Sequence, residues 1–146
     1  IKIPSNDPLA RFKACNKLPH ILARMEADEQ GADEALLLNT DGNIAEATSA
    51  NLFWIEGKTV CTPPLESGAL LGITRGVVLE ICGELKIPVV EKNIVPELLP
   101  KVDGAFLTSV AIEVREVSRV DEHDLPRSSI TQIVRGAFQK YVESAH

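Results

Sequence analysis

The sequence predicts an α+β domain, a mixed and largely antiparallel sheet with three main helices. Short strand-like runs meet at tight-turn dipeptides, Asp41-Gly42 and Gly57-Lys58. Apolar residues recur at helical spacing in three places, near residues 16–31, 73–86 and 128–144. A length of 146 residues with 45% hydrophobic and 25% charged side chains is the composition of one globular domain.

Residues 1–11 hold Pro4, Pro8 and a Ser-Asn-Asp cluster and read as a connecting segment. The first helix follows from Asn16, with Pro19 in its first turn, Leu18, Ile21, Leu22 and Met25 as its apolar face, and Gly31 as its stop. Lys13 lies just before it. Residues 34–39 (EALLLN) predict a buried strand, turned by Asp41-Gly42 into a second at 44–47; a third at 51–56 (NLFWIE) turns at Gly57-Lys58 into a fourth at 59–62. Pro63 and Pro64 end that strand.

In residues 67–86 a loop with Gly68 and Gly72 runs into a helix expected to begin near Ile73, its stripe formed by Val77, Val78, Ile81 and Leu85. A strand at 89–92, a helical turn at 96–102, a buried strand at 104–110 and a half-exposed one at 114–120 come next. The last helix, 128–144, carries Ile130, Ile133, Val134, Ala137, Phe138 and Tyr141 on one face.

Bulk chemistry narrows the partners. A net charge of −6 with no basic cluster argues against nucleic acid and for a small-molecule ligand. Three cysteines without paired spacing argue against a disulfide framework or a zinc site, so a reducing compartment, the cytoplasm, is expected. His20, His123 and His146 share no spacing with acids or cysteines, so no metal site is expected. No membrane is expected as a partner, for want of an apolar run of about 18 residues or a signal-peptide pattern. Residue 1 is Ile and the sole Met is Met25, so an upstream segment is expected.

Three places could carry chemistry. The helix start at Ile73 offers unpaired N–H groups and a positive dipole end, with the Thr74 hydroxyl and the Arg75 charge beside it, and so could bind phosphate; the plainer reading is a helix capped by Thr74 with Arg75 solvated. Lys13, flanked by Phe12, Ala14 and Cys15, is either a desolvated amine suited to nucleophilic work or a snorkelling surface group. Glu46 is either an exposed strand residue or a carboxylate aimed into a pocket.

These places fall in one order with familiar wording: Lys13-Ala-Cys-Asn16, Ile44-Ala-Glu46 followed by Ser49-Ala-Asn51-Leu-Phe53, Thr62-Pro-Pro64, and Leu70-Leu-Gly72-Ile-Thr74-Arg75. On them the chain resembles the C-terminal domain of the class IV, fold-type IV pyridoxal-phosphate enzymes, which include D-amino-acid aminotransferase, branched-chain aminotransferase and 4-amino-4-deoxychorismate lyase. The resemblance implies pyridoxal 5′-phosphate as cofactor. It implies Lys13 as the amine that links to the cofactor aldehyde and Glu46 as partner of the pyridine nitrogen. Gly72, Ile73 and Thr74 would form the phosphate site, Leu70 would press on the ring, and Thr108-Ser109-Val110 would form a further loop near phosphate or substrate, with Ser109 counted in the cofactor site.

Residues 1–12 would be a linker from a missing N-terminal domain and 13–146 the cofactor-binding C-terminal domain. That missing domain would supply a further phosphate-binding Arg, much of the substrate pocket and part of a homodimer contact.

Some residues depart from the aminotransferase pattern. Val110 stands where these enzymes carry a phosphate-binding Thr, and Lys17 and Leu18 stand where the branched-chain enzymes place a Tyr. Asn16, Gly31-Ala-Asp-Glu-Ala35 and Asn51-Leu-Phe-Trp54 look more like 4-amino-4-deoxychorismate lyase. The expected function is therefore that lyase, with a small amino compound as substrate. The alternatives are an aminotransferase for D-amino or branched-chain amino acids, and an inactive half-domain.

Overall fold

A computed structural model describes residues 2–6 and 17–145; Lys13, Cys15 and Asn16 lie outside the described residues. The elements run β1 (Lys2–Ile3), α1 (Leu18–Glu29), β2 (Leu36–Asn39), β3 (Ile44–Ala47), β4 (Asn51–Glu56), β5 (Thr59–Thr62), α2 (Ile73–Glu84), β6 (Val89–Glu91), β7 (Gly104–Ser109), β8 (Glu113–Glu116), β9 (Arg119–Val120), β10 (His123–Asp124) and α3 (Ser129–Ser144). Short 3-10 turns stand at Leu65–Ser67 and Leu99–Lys101. The three-helix α+β arrangement read from the sequence is the one observed, and its pairings are mostly antiparallel.

A five-stranded sheet in the order β6-β5-β4-β7-β8 forms the centre. β4 runs antiparallel to both β5 and β7, while β5 and β6 are parallel because α2 crosses over between them. Both faces of this sheet are covered, which is why β4 is apolar at consecutive positions instead of alternating. Phe53 and Ile55 point to the helix side and pack with Val60, Val78, Phe106, Val134 and Phe138. Leu52 and Trp54 point the other way, toward Ile44, Ala47, Leu99 and Leu107. Phe53 and Phe106, directly opposite in register, stack with ring centroids 4.9 Å apart.

Beside it lies a smaller sheet, β1-β2-β3, in which β1 pairs parallel and β3 antiparallel with β2. The β2–β3 turn is built by Asn39, whose side-chain oxygen accepts from the amides of Asp41 and Asn43. β3 leads through residues 48–50 straight into β4, so this small sheet feeds the central strand of the large one.

Several expectations change on contact with tertiary packing. The apolar face predicted for α1 points outward: Leu18 is 58%, Ile21 54%, Leu22 43% and Met25 55% exposed. The buried stripe is Ala23 and Ala27, one turn apart, with Ala23 packed against Ile3, Leu37 and Ala45. Small side chains bring the helix close to β2, and large ones on that face would hold it off. The segment 1–11, read as a connector, contributes β1: Ile3 is buried and Ser5 bonds Thr40 and Asp41.

The strand predicted over 114–120 is broken. β8 ends at Glu116, and Arg119–Val120 turns away to pair with β10 around Asp121 at φ 53°. The strand predicted over 34–39 begins only at Leu36, because Glu34 faces the 48–49 turn rather than a neighbouring strand.

Cys61 and Cys82 are both free and buried. Burial pushes the Cys82 thiol up to about 11 and also raises Cys61. Since the thiolate is the reactive form, neither should be alkylated by iodoacetamide in the folded protein at neutral pH. Peptide mapping after a native pulse checks this: protection lost only in denaturant is expected, and native labelling of Cys82 at the rate of an ordinary thiol would contradict the packing.

Candidate active site

Glu46 is buried on β3, between Ala45 and Ala47, which are each 1% exposed. A carboxylate in such a setting must be held by donors, and both its oxygens are. Oε1 lies 2.9 Å from His20 Nε2, in the first turn of α1, and Oε2 accepts from the Leu70 amide at 2.9 Å. Of the two sequence readings, exposed strand residue or carboxylate aimed into a pocket, the exposed one is excluded by its burial. Glu46 and Leu70, predicted separately, are thereby joined directly.

Leu70 is tied a second time, its carbonyl accepting from Asn51 Nδ2 at 2.9 Å. Asn51 opens β4 and also bounds Gly72: a Cβ added to Gly72 would collide with Asn51 Oδ1. The absence of a side chain at 72 is therefore a packing requirement, since its backbone at φ −74° and ψ 143° is open to any residue. Gly68 is the conformational case, at φ 102° and against Pro4 O.

α2 begins at Ile73 as predicted, with Gly72 as its N-cap residue and no side chain capping it. The amides of its first turn thus retain their capacity for a ligand. Ile73 is 78% exposed and Thr74 is buried at 4%. Thr74 is not the cap, and the Arg75 charge does not serve an anion here: its guanidinium is buried and bonds Glu91 Oε1 at 2.5 Å and Pro63 O at 3.3 Å, fastening α2 to the end of β5 and to β6.

The β4–β7 register puts Thr108 opposite Asn51. Thr108 Oγ1 is buried and has no partner among the described residues. Ser109, which closes β7, accepts from the Ile112 amide at 3.2 Å, and Val110 is 77% exposed. Asn51, Leu70, Gly72 and Thr108 thus share one end of the central sheet, with Glu46 reached through Leu70. Lys13 lies outside the described residues.

A family model described as amino-transferase class IV matches residues 1–120. The chain belongs to the class IV aminotransferase family. A probable branched-chain-amino-acid aminotransferase of Rickettsia felis is 36% identical over 119 residues, covering 82% of this chain and 41% of that protein. The crystal structure of a branched-chain aminotransferase from Thermoproteus uzoniensis with norvaline superposes with a TM-score of 0.91 at 34% identity, over 98% of this chain and 51% of that one. A putative 4-amino-4-deoxychorismate lyase from Legionella pneumophila gives 0.90 at 31% identity, over 96% and 53%. The chain therefore spans about half the length of the relatives it matches.

Pyridoxal 5′-phosphate is the cofactor of this family, and the residues present fit it. An ionisable carboxylate with both oxygens fixed suits a ring nitrogen, an uncapped helix start suits a phosphate, and the unpartnered hydroxyl of Thr108 leaves hydrogen-bond capacity beside them. The sequence reading gave no role to His20 or to Asn51. His20 stands seven residues after Lys13 in the first turn of α1, a place the helix assignment already put near the candidate lysine.

The wording that pointed to a lyase finds a structural use. Glu34 accepts from the Thr48 and Ser49 hydroxyls and the Thr48 amide, Arg24 donates to Asp33 O, and Trp54 is a core residue whose Nε1 donates to Glu56. These residues build the turn before β4 and the strand itself.

Replacing Gly72 by Ala should displace the Asn51 side chain and, with it, the Leu70 carbonyl. The expected result is at least about tenfold weaker binding of pyridoxal phosphate, roughly the loss of one buried hydrogen bond. A titration followed by absorbance measures it, and unchanged affinity would show that the close approach at 72 does not shape the site.

Proposed function

We propose that this chain is the cofactor-binding part of a class IV aminotransferase acting on amino acids with branched, apolar side chains. The observation that carries the reading is the buried Glu46 carboxylate, held by the Leu70 amide three residues before the uncapped start of α2. A partner for a ring nitrogen and a site for a phosphate are joined by one short loop. Pyridoxal phosphate bound there supplies an electron sink for the substrate α-carbon.

The chain's own residues do the rest. Lys13 would supply the amine that holds the cofactor and would carry a proton to and from the α-carbon. Glu46, as an acceptor, keeps the ring nitrogen protonated. The amides of Ile73 and Thr74, with the Thr74 hydroxyl, take the phosphate, and Gly72 lets that backbone close on Asn51. Leu70 would lie against the ring, and Ser109 would border the phosphate or substrate from the end of β7. In this reading residues 13–146 are the cofactor domain, the segment before them adds β1 to its small sheet, and the working assembly is a homodimer.

The preference for branched-chain substrates is supported by the Rickettsia felis and Thermoproteus uzoniensis relatives. This reverses the order expected from the sequence, where lyase-like wording led. The lyase remains a second reading because the Legionella pneumophila protein is nearly as similar and because Val110 offers no hydroxyl to a phosphate.

Side-by-side rates in the full-length protein decide between them. Transamination of L-leucine or L-valine with 2-oxoglutarate is expected to exceed both transamination of D-alanine and release of pyruvate from aminodeoxychorismate. A faster lyase rate would exchange the two readings and leave the cofactor assignment standing. Separately, Lys13→Ala should abolish the borohydride-trappable cofactor adduct; an adduct mapped by mass spectrometry to Lys17 would remove Lys13 from its role. Glu46→Gln should retain cofactor yet slow turnover about a hundredfold, the scale of one lost electrostatic contact at a reacting centre.

A further inference from the structure

We propose that His20 is a positioning residue for the cofactor's ring nitrogen, acting through Glu46; the inference rests on the reading of Glu46 given above. His20 Nε2 lies 2.9 Å from Glu46 Oε1, and the two side chains are 15% and 7% exposed. The second oxygen is fixed from another element, by the Leu70 amide at 2.9 Å. One donor alone would leave the carboxylate free to turn about its last torsion, which has a broad preference. Two donors from α1 and from the 68–72 loop set the plane of the carboxyl group.

Each carboxylate oxygen has two lone pairs, so an oxygen that accepts from His20 or from Leu70 can still accept from a ring N–H.

The chemistry of the donor matters as much as its position. Among the described residues, His20 is the sole ion-pair partner of Glu46. A Lys or Arg there would place a fixed positive charge beside the pyridinium and compete with it for the same acid. An imidazole donating from Nε2 orients the acid and adds no fixed charge. The Nδ1 atom is buried with no partner among the described residues. Since an ionised carboxylate only accepts, the Nε2 proton is directed at Glu46.

His20 reaches this place because α1 starts at Leu18 with Pro19 in its first turn, which fixes the helix entry. The same short segment follows Lys13 in sequence. One stretch of chain therefore carries both the candidate amine and the group that aligns the acid.

The test uses full-length protein loaded with pyridoxal phosphate labelled with nitrogen-15 in the ring, comparing wild type, His20→Leu, His20→Gln and Glu46→Gln. In wild type the ring nitrogen should resonate as protonated, and in Glu46→Gln as unprotonated. His20→Leu should move the resonance toward the unprotonated position and weaken cofactor binding roughly ten- to a hundredfold, the range for one hydrogen bond to a charged group. His20→Gln, which keeps an N–H donor at comparable reach, should restore most of both. A purely structural His20 would lower the melting temperature in His20→Leu and leave the ring resonance of bound cofactor at its wild-type position, and that result overturns the proposal. A wild-type ring nitrogen that is unprotonated, or one that Glu46→Gln does not move, would instead sink the reading of Glu46, and the role of His20 with it.

Discussion

A carboxylate buried in a sheet imposes conditions on everything near it, and in this domain Glu46 imposes most of them. Removing an ionised group from water costs several kcal/mol unless donors replace the solvent, and each hydrogen bond to a charged group returns about 1.5–3 kcal/mol. Here the donors come from either side of Glu46 in the chain, His20 on α1 before it and Leu70 in the loop before α2 after it. Satisfying one side chain therefore fixes a helix, a strand and a loop relative to one another. The small sheet β1-β2-β3, with Ala23 packed beneath it, is the platform that makes this possible.

The loop is constrained from its other side by Asn51. Its amide holds the Leu70 carbonyl while its oxygen fills the space that a side chain at position 72 would need. Because β4 pairs with β7, the position of Asn51 is coupled to Thr108, and through the turn at 48–50 to Glu34. The candidate site is therefore assembled on backbone that the two sheets already hold rigid, and its loops are short. Precision at a ring-binding acid and a phosphate-binding helix start follows from that economy of connection.

Local chemistry was the part legible in the sequence. Tight turns at Asp41-Gly42 and Gly57-Lys58, the helix start at Ile73 and the span of β4 all depend on neighbours along the chain, and the structure has them where the sequence put them. Outcomes that depend on what lies across space were not legible. The amphipathic pattern of α1 identifies a helix correctly but cannot say which stripe faces the sheet; the small stripe, Ala23 and Ala27, won because it allows close approach. Arg75 beside a helix start looks like a ligand for an anion until Glu91 on β6 is seen to take it. His20 shared no sequence spacing with an acid, yet folding places it 2.9 Å from one that stands 26 positions away.

The same distinction bears on how likeness between sequences should be read. Residues 31–35 and Trp54 pointed toward a lyase, but Glu34 binds the turn that launches β4, and Trp54 fills the core below it. Such residues serve the scaffold, so they speak to the fold and leave the substrate open. Positions that could speak to the reaction are those facing a ligand without a structural debt of their own. Among the described residues Val110 is such a position, 77% exposed and bonded to nothing through its side chain, and so is the unpartnered hydroxyl of Thr108 two residues before it. Thr108 keeps, two residues earlier, a buried hydroxyl with no partner among the described residues. A missing Thr at 110 is then weaker evidence against an aminotransferase than it is from the sequence alone, because a buried hydroxyl at the end of the same strand remains uncommitted to the fold.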